Sequence, residues 1–220
     1  MTGTAKVKIC GLKTEAALEA ALAGGAEYVG LVFFPPSPRN ITPEAAKPLA
    51  ARARGRARIV ALLVDPDDAL IDAVVAATDP DMLQLHGDET PQRVAEVRRR
   101  WGKPVMKAIK VATAEDAEAA FTYAGVADLT LFDARAPKDA TRPGGHGAAF
   151  DWSVLAGVKG RIPFMLSGGL TPDNVAEAIG ITGSTMVDVS SGVESRPGEK
   201  DPELIRRFLL AAKGAKEGAR

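Results

Sequence analysis

The sequence predicts an α/β fold of the (β/α)8 type, a single-domain TIM barrel. Eight short apolar or β-branched runs recur along the 220 residues, and each precedes a turn and an alanine-rich amphipathic stretch. Parallel neighbours need a crossover helix, and roughly 200 to 250 residues suit eight such units closed into a barrel. An open doubly wound sheet is the alternative, but no G-x-G-x-x-G motif follows the first strand. We therefore expect residues 1–220 to form one barrel domain.

The predicted strands are short runs rich in Val, Ile, Leu, Phe and Met. They cover residues 7–10, 28–33, 59–64, 82–85, 105–109, 129–132, 164–167 and 186–189. The predicted helices cover residues 14–23, 43–54, 66–77, 91–101, 114–121, 152–156, 172–179 and 202–213. Five helices carry proline near the start, where its missing N–H has no helical partner to lose. Threonine or aspartate caps precede these five at Thr42, Asp65, Thr90, Thr171 and Asp201.

Charge and cysteine content narrow the functional classes. The 28 basic residues balance the 28 acidic ones, so we expect neither a nucleic-acid nor a membrane partner. The basic run at residues 52, 54, 56 and 58 lies around a predicted helix end and is interpreted as a solvated surface. A single cysteine excludes an intramolecular disulfide and a zinc site of several thiolates. Residues 1–6 lack a secretion-signal pattern, and we expect a cytoplasmic protein.

Two glycine- and serine-rich strand ends predict a phosphate site, because barrel active sites lie on the loops after the strands. Gly168 and Gly169 follow the seventh strand, and Ser190, Ser191 and Gly192 follow the eighth. Glycine amides and a helix N-terminus suit an anion, and these two loops are a common phosphate site in barrels. Each loop alone could be a tight turn or a cap. Together they predict a small phosphorylated substrate.

Two further strand ends carry groups suited to proton transfer. Cys10 ends the first strand, and Asp133 follows two apolar residues of the sixth. A free cysteine is most often a small buried hydrophobe, but a nearby cation such as Lys8 can favour its thiolate and make it a base. A partly desolvated carboxyl favours its neutral form and can donate a proton. With no metal-ligand or nucleotide-cofactor motif in the sequence, this pair predicts cofactor-independent isomerisation of a sugar phosphate.

Six segments then carry a resemblance to the phosphoribosylanthranilate isomerase family. They read KICGL at 8–12, GLVFF and SPR within 30–39, LQLHG at 83–87, LFD at 131–133, LSGGL at 166–170 and DVSSGVE at 188–194. The resemblance spans nearly the whole chain. It implies an Amadori rearrangement in L-tryptophan biosynthesis, which converts N-(5-phosphoribosyl)anthranilate into 1-(2-carboxyphenylamino)-1-deoxyribulose 5-phosphate without a cofactor.

The resemblance also implies residue roles. Asp133 would protonate the ring oxygen of the sugar and open the ring to a Schiff base. Cys10 would then remove the proton from C2 as a base, without bonding covalently to the substrate. Arg39 would pair with the anthranilate carboxylate, as a guanidinium does well. His86 and Asp188 are expected among the substrate-binding residues, without a defined role.

One position departs from the family pattern, and two other functions stay open. His146 stands in a glycine-rich loop where a small hydroxyl residue is expected, so we expect altered hydrogen bonding there. An aldose isomerase of histidine biosynthesis would use two aspartates, which Cys10 disfavours. A non-catalytic barrel that regulates a partner would need neither the acid nor the base. Helices should cover the barrel exterior, which favours a monomer, with a homodimer as the alternative.

Overall fold

In the computed structural model, which describes residues 4–135 and 150–215, eight parallel strands close into one barrel. The strands are β1 (Lys6–Cys10), β2 (Tyr28–Phe33), β3 (Arg58–Leu63), β4 (Met82–Leu85), β5 (Val105–Val111), β6 (Leu129–Ala134), β7 (Phe164–Leu166) and β8 (Met186–Val189). Each strand pairs with the next along the chain, and β8 pairs with β1 to close the barrel. The predicted fold is confirmed, because every predicted strand overlaps an observed one.

Within the described residues, an α-helix follows each of these strands except β6. The helices are α1 (Glu15–Ala23), α2 (Pro43–Ala53), α3 (Asp68–Thr78), α4 (Pro91–Trp101), α5 (Ala114–Glu118), α6 (Val175–Thr182) and α7 (Pro202–Gly214). A hairpin, β9 (Glu194–Arg196) and β10 (Glu199–Lys200), separates β8 from α7. Within the described residues, no helix is both long and apolar enough to cross a membrane.

Two predicted helices are wrong in type. The segment predicted at 114–121 is α-helical only to Glu118 and continues as the 3₁₀ turn Ala119–Tyr123. The segment predicted at 152–156 is the 3₁₀ turn Trp152–Gly157. Both segments are short, and the tighter 3₁₀ form is common for such pieces because few i to i−4 hydrogen bonds can form.

Two predicted helix starts are also wrong. The cap of α3 is Asp67, whose carboxylate accepts the N–H of Leu70, and the predicted cap Asp65 has a φ of +43° outside the helix. The helix predicted from residue 172 begins at Val175, because the Asn174 side chain forms a hydrogen bond with the preceding loop. Its Oδ1 accepts the N–H of Thr171 at 2.8 Å.

The barrel interior changes from apolar to polar toward the C-terminal strand ends. A buried apolar cluster fills the other end, and it includes Tyr28, Val60, Met106, Leu131 and Met165. Above it lie buried polar side chains that belong to four strands: Lys8, Gln84, Asp133 and Asp188. Strand side chains alternate between the barrel interior and the helix layer, so these polar residues share the inner face. The polar layer therefore lies directly under the loops that form the barrel mouth.

Candidate active site

Cys10 is the last residue of β1 and is 3% exposed. Its partner in the β1–β2 register is Gly30, where a Cβ would lie 2.9 Å from the Cys10 sulfur, so glycine makes room for the thiol. Burial raises the pKa of Cys10 above its ordinary value, and the neighbouring Lys8 ammonium opposes that rise. The substrate-free protein therefore holds Cys10 as a thiol near neutral pH, with a cation beside it.

Lys8 and Asp188 form a buried ion pair between β1 and β8. The Lys8 Nζ lies 2.9 Å from the Asp188 Oδ1, and the Asp188 Oδ2 accepts a hydrogen bond from the Ser167 hydroxyl at 3.2 Å. Burial alone would lower the pKa of Lys8, but Asp188 and Cys10 together raise it above its ordinary value. Lys8 therefore stays charged. Asp188, predicted to bind substrate, has both carboxylate oxygens engaged by protein groups.

Asp133 lies on β6, three strands from β1 around the closed barrel. Its Oδ2 lies 3.1 Å from the His86 Nε2, and its Oδ1 accepts the N–H of Ala134 at 3.0 Å. The Gln84 Nε2 lies 3.1 Å from the His86 Nδ1. Donation from this amide to Nδ1 places the imidazole proton on Nε2, where it is directed at Asp133.

His86 thus contacts the predicted acid, and Gln84 sets the orientation of His86. Gln84 was not among the residues predicted for the site. The available signal was its position two residues before His86, which puts both side chains on the same face of the strand.

Arg39 lies in the loop after β2 and is buried against Glu194. The Arg39 Nε and Nη2 donate to the two Glu194 carboxylate oxygens at 2.7 and 2.8 Å. The Glu194 Oε1 also lies 2.5 Å from the Lys200 Nζ. Burial opposes ionisation, but Arg39 and Lys200 lower the pKa of Glu194. Glu194 and Lys200 were missed as site residues, because no strand pattern predicted the β9–β10 hairpin that carries them.

The first predicted phosphate loop has backbone geometry that requires glycine. Gly168 has a φ of +90°, and a Cβ on it would lie 2.4 Å from the Ala134 nitrogen. Gly169 follows with a φ of +65°. Asn174 also holds this turn, since its Nδ2 donates to the Gly169 carbonyl at 3.0 Å. Backbone N–H groups can therefore approach an anion without interference from side chains.

The second predicted phosphate loop packs against the first. A Cβ on Gly192 would lie 1.9 Å from the Leu170 carbonyl oxygen, so only glycine permits this approach. Ser191 begins the 3₁₀ turn Ser191–Val193. The Ser190 hydroxyl donates to the Cys10 carbonyl at 3.1 Å. The fold thus brings both predicted phosphate loops together beside Cys10, whereas His146 lies outside the described residues.

Residues 7–211 match the family described as "N-(5'phosphoribosyl)anthranilate (PRA) isomerase". The chain belongs to this family. Among phosphoribosylanthranilate isomerases, that of Rhodopseudomonas palustris strain BisA53 is 60% identical over 207 residues, or 94% of this chain and 95% of the relative. The predicted family and the predicted isomerase activity are confirmed.

Solved structures of phosphoribosylanthranilate isomerases share the fold. The Thermotoga maritima enzyme has a TM-score of 0.87 and 35% identity, and the match covers 96% of this chain and 99% of that one. A second structure, with a TM-score of 0.83, 33% identity and the same two coverages, holds reduced 1-(o-carboxyphenylamino)-1-deoxyribulose 5-phosphate. That relative therefore binds a small phosphorylated ligand.

Proposed function

We propose that this isomerase converts N-(5'-phosphoribosyl)anthranilate into 1-(2-carboxyphenylamino)-1-deoxyribulose 5-phosphate, with Asp133 as the acid and Cys10 as the base. The reaction is the Amadori rearrangement of L-tryptophan biosynthesis, and residues 1–220 form its single catalytic domain. The observation that carries the proposal is the placement of Cys10 and Asp133 on separate walls of one barrel mouth. The buried Lys8 ammonium lies next to Cys10, and the buried His86 imidazole contacts Asp133.

In the first step, Asp133 donates its proton to the furanose ring oxygen. The bond between that oxygen and C1 breaks, the ring opens, and the anthranilate nitrogen supplies the electron pair that forms the C1=N Schiff base. Asp133 becomes a carboxylate. The N–H groups of His86 and Ala134 then donate hydrogen bonds to its two oxygens, so the site is already arranged for the charge that develops.

In the second step, Cys10 first loses its thiol proton to solvent, and the resulting thiolate removes the proton from C2. The C2–H electron pair forms a C1=C2 bond, and the C1=N pair moves to nitrogen, which gives an enolamine. Tautomerisation adds a proton at C1 and leaves a ketone at C2, so hydrogen moves from C2 to C1 without an external oxidant or reductant. Burial makes the thiolate a stronger base, and Lys8 supplies the positive charge that favours its formation. The sulfur bonds to hydrogen and never to carbon.

The two ends of the substrate need separate anchors. Gly168, Gly169, Ser190, Ser191 and Gly192 surround the phosphate in this proposal, supported by the close packing of the two loops. Arg39 contacts the anthranilate carboxylate, and its pairing with Glu194 fixes the orientation of the guanidinium. His86 acts through Asp133, and Asp188 acts through Lys8 and Ser167.

The catalytic roles are tested with Cys10→Ala and Asp133→Ala. Loss of a positioned acid or base lowers rates by about 10²–10⁴-fold, so each variant should lose that much turnover of freshly made phosphoribosylanthranilate, followed by its fluorescence. Both variants should still bind the reduced product analogue. Lys213→Met is the control, since this lysine lies on α7 and pairs with Glu27 near the opposite barrel end. Wild-type rates in both alanine variants would overturn the mechanism.

Complementation extends the test from the purified protein to the cell. A tryptophan auxotroph that lacks this isomerase should grow when it carries the wild-type gene, and should fail with either alanine variant. Turnover of a histidine-pathway aminoaldose in place of phosphoribosylanthranilate would favour the alternative isomerase. Binding of the product analogue with no turnover of either substrate would favour a regulatory barrel.

We also infer that the protein acts as a cytoplasmic monomer. Among the described residues, the large apolar side chains that are exposed are Ile181 and Leu210, so little apolar surface is available for a second copy. The sole cysteine is free and buried, which suits a reducing compartment. Light scattering should give the mass of one chain, and cell fractionation should recover the protein with cytoplasmic markers. A dimer mass or a different fraction would contradict these inferences.

A further inference from the structure

A buried ammonium group lies beside the loop after β8, and the proposed chemistry does not yet use it. Lys200 ends the β9–β10 hairpin, and its side chain is 2% exposed. Its Nζ contacts the Glu194 Oε1 at 2.5 Å, the Ser190 carbonyl at 3.0 Å and the Ser190 hydroxyl at 3.2 Å. Lysine is almost never fully buried unless it is paired. These contacts hold the ammonium at one place in the barrel mouth.

Ser190 links this ammonium to the proposed base. The Ser190 hydroxyl accepts from Lys200 and donates to the Cys10 carbonyl at 3.1 Å. Lys200 also forms an ion pair with Glu194, and Glu194 in turn accepts a hydrogen bond from Arg39. One network therefore joins the loop after β2, the hairpin after β8 and the end of β1. Lys200 is the charged member of that network nearest to Cys10 along these contacts.

We propose that Lys200 is a positioning residue for Cys10, because its ammonium holds Ser190 against the end of β1 and its charge favours the thiolate. The proposal rests on the proposed function, in which Cys10 is the base. It assigns Lys200 no contact with substrate. Its role is to place the sulfur and to stabilise the negative charge that the base must carry before it accepts the C2 proton.

The charges around Cys10 come from three elements. Burial is the largest influence and raises the pKa of Cys10, and Asp188 on β8 acts in the same direction. Lys8 on β1 and Lys200 on the hairpin both lower the pKa of Cys10. Lys8 is already paired with Asp188, whose negative charge offsets part of its effect. A second cation, supplied by the β9–β10 hairpin, therefore adds to what Lys8 alone can supply.

Lys200 can lose its charge within an accessible pH range. Burial lowers the pKa of Lys200 to about 8, and Arg39 acts in the same direction, while Glu194 and Cys10 oppose the shift. Lys200 is charged below this pH and increasingly neutral above it. Its support for the thiolate should therefore weaken as the solution becomes mildly alkaline, although Cys10 itself ionises more readily there.

The test measures the ionisation of Cys10 directly. Because Cys10 is the sole cysteine, its thiolate absorbance can be followed against pH after subtraction of the same variant carrying Cys10→Ser. At the alkaline pH where Cys10 ionises, wild-type Lys200 is largely neutral, so Lys200→Met should leave the midpoint of thiolate formation close to the wild-type value. It should instead lower kcat/KM near neutral pH, where wild-type Lys200 is still charged and favours the thiolate. Lys213→Met should change neither value.

Lys200→Arg separates charge from structure, because arginine keeps its charge throughout the titration. This variant should lower the midpoint of Cys10 below the wild-type value, because wild-type Lys200 is largely neutral at that pH, and it keeps the proposal testable if Lys200→Met does not fold. Equal midpoints in Lys200→Arg and the wild type would overturn the proposal even if Lys200→Met lost activity. A raised midpoint in Lys200→Arg would also overturn it. The ionisation measurement is independent of turnover, so failure of Cys10→Ala to lose activity would refute the proposed function separately.

Discussion

A buried ion pair behind the loop that carries His86 allows a stability prediction with a definite size. The Lys107 Nζ lies 2.7 Å from the Glu89 Oε2 and donates to the Gly87 carbonyl at 2.7 Å. Both side chains of the pair are 2% exposed. The Glu89 Oε1 accepts the N–H groups of Asp65 and Gly87 at 2.9 and 3.0 Å. This pair therefore joins β5 to the loops after β3 and β4.

Lys107→Met should destabilise the fold by about 3–4 kcal/mol. It leaves the Glu89 carboxylate buried with two backbone donors and no cation, and breaking one partner of a buried pair costs roughly 3–5 kcal/mol. The cost has a ceiling, because the carboxyl can instead take up a proton. For an ordinary glutamate at about pH 7, protonation costs close to 4 kcal/mol. A barrel of this length should then lose about 10 °C in melting temperature.

The double variant Lys107→Met/Glu89→Gln should recover much of that loss. The glutamine Oε1 keeps the two backbone N–H groups paired, and no uncompensated charge remains. Urea unfolding of the wild type, both single variants and the double variant yields the coupling energy of the pair. Equal stability of Lys107→Met and the wild type, or additive effects in the double variant, would refute this reasoning.

Three further predictions concern the site. Gly168→Ala should raise KM for the phosphorylated substrate and destabilise the fold by about 1–3 kcal/mol through backbone strain. Gly160→Ala is the kinetic control, because Gly160 also has a positive φ, +72°, but no heavy atom lies within 4 Å of its Cβ position. Gln84→Leu should lower kcat by about tenfold with little change in KM, and it should shift the pH profile of kcat, because His86 loses the donor that sets its tautomer. An unchanged pH profile would refute this role for Gln84. The lowered pKa of Glu194 contributes stability above its unfolded value near 4.5, and this contribution is lost as pH falls through the lower folded value. Urea midpoints at about pH 7 and pH 4 should therefore differ less in Glu194→Gln than in the wild type, and an equal difference would contradict the assignment.

Local patterns in the sequence were sufficient for much of the fold. Strand residues recur as short apolar runs, and helix starts carry prolines and caps such as Thr42, Thr90 and Asp201, whose side chains accept the expected N–H groups. The cap prediction was wrong at Asp65, because its carboxylate accepts the N–H of Asp88 from another loop and Asp67 caps the helix instead. Which of two nearby aspartates caps a helix depends on a contact between segments.

The candidate site likewise depends partly on local sequence patterns and partly on contacts between distant segments. The sequence by itself determined that Cys10, Asp133 and the glycine loops lie at strand ends, because a barrel places those ends at one mouth. Only the tertiary structure decided which groups surround them. Arg39 and Glu194 are 155 positions apart, and they meet only because the barrel closes between β8 and β1. The polar side chains that contact the acid and the base therefore depend on how the strands pair and close into a barrel. No local sequence pattern encodes that strand register.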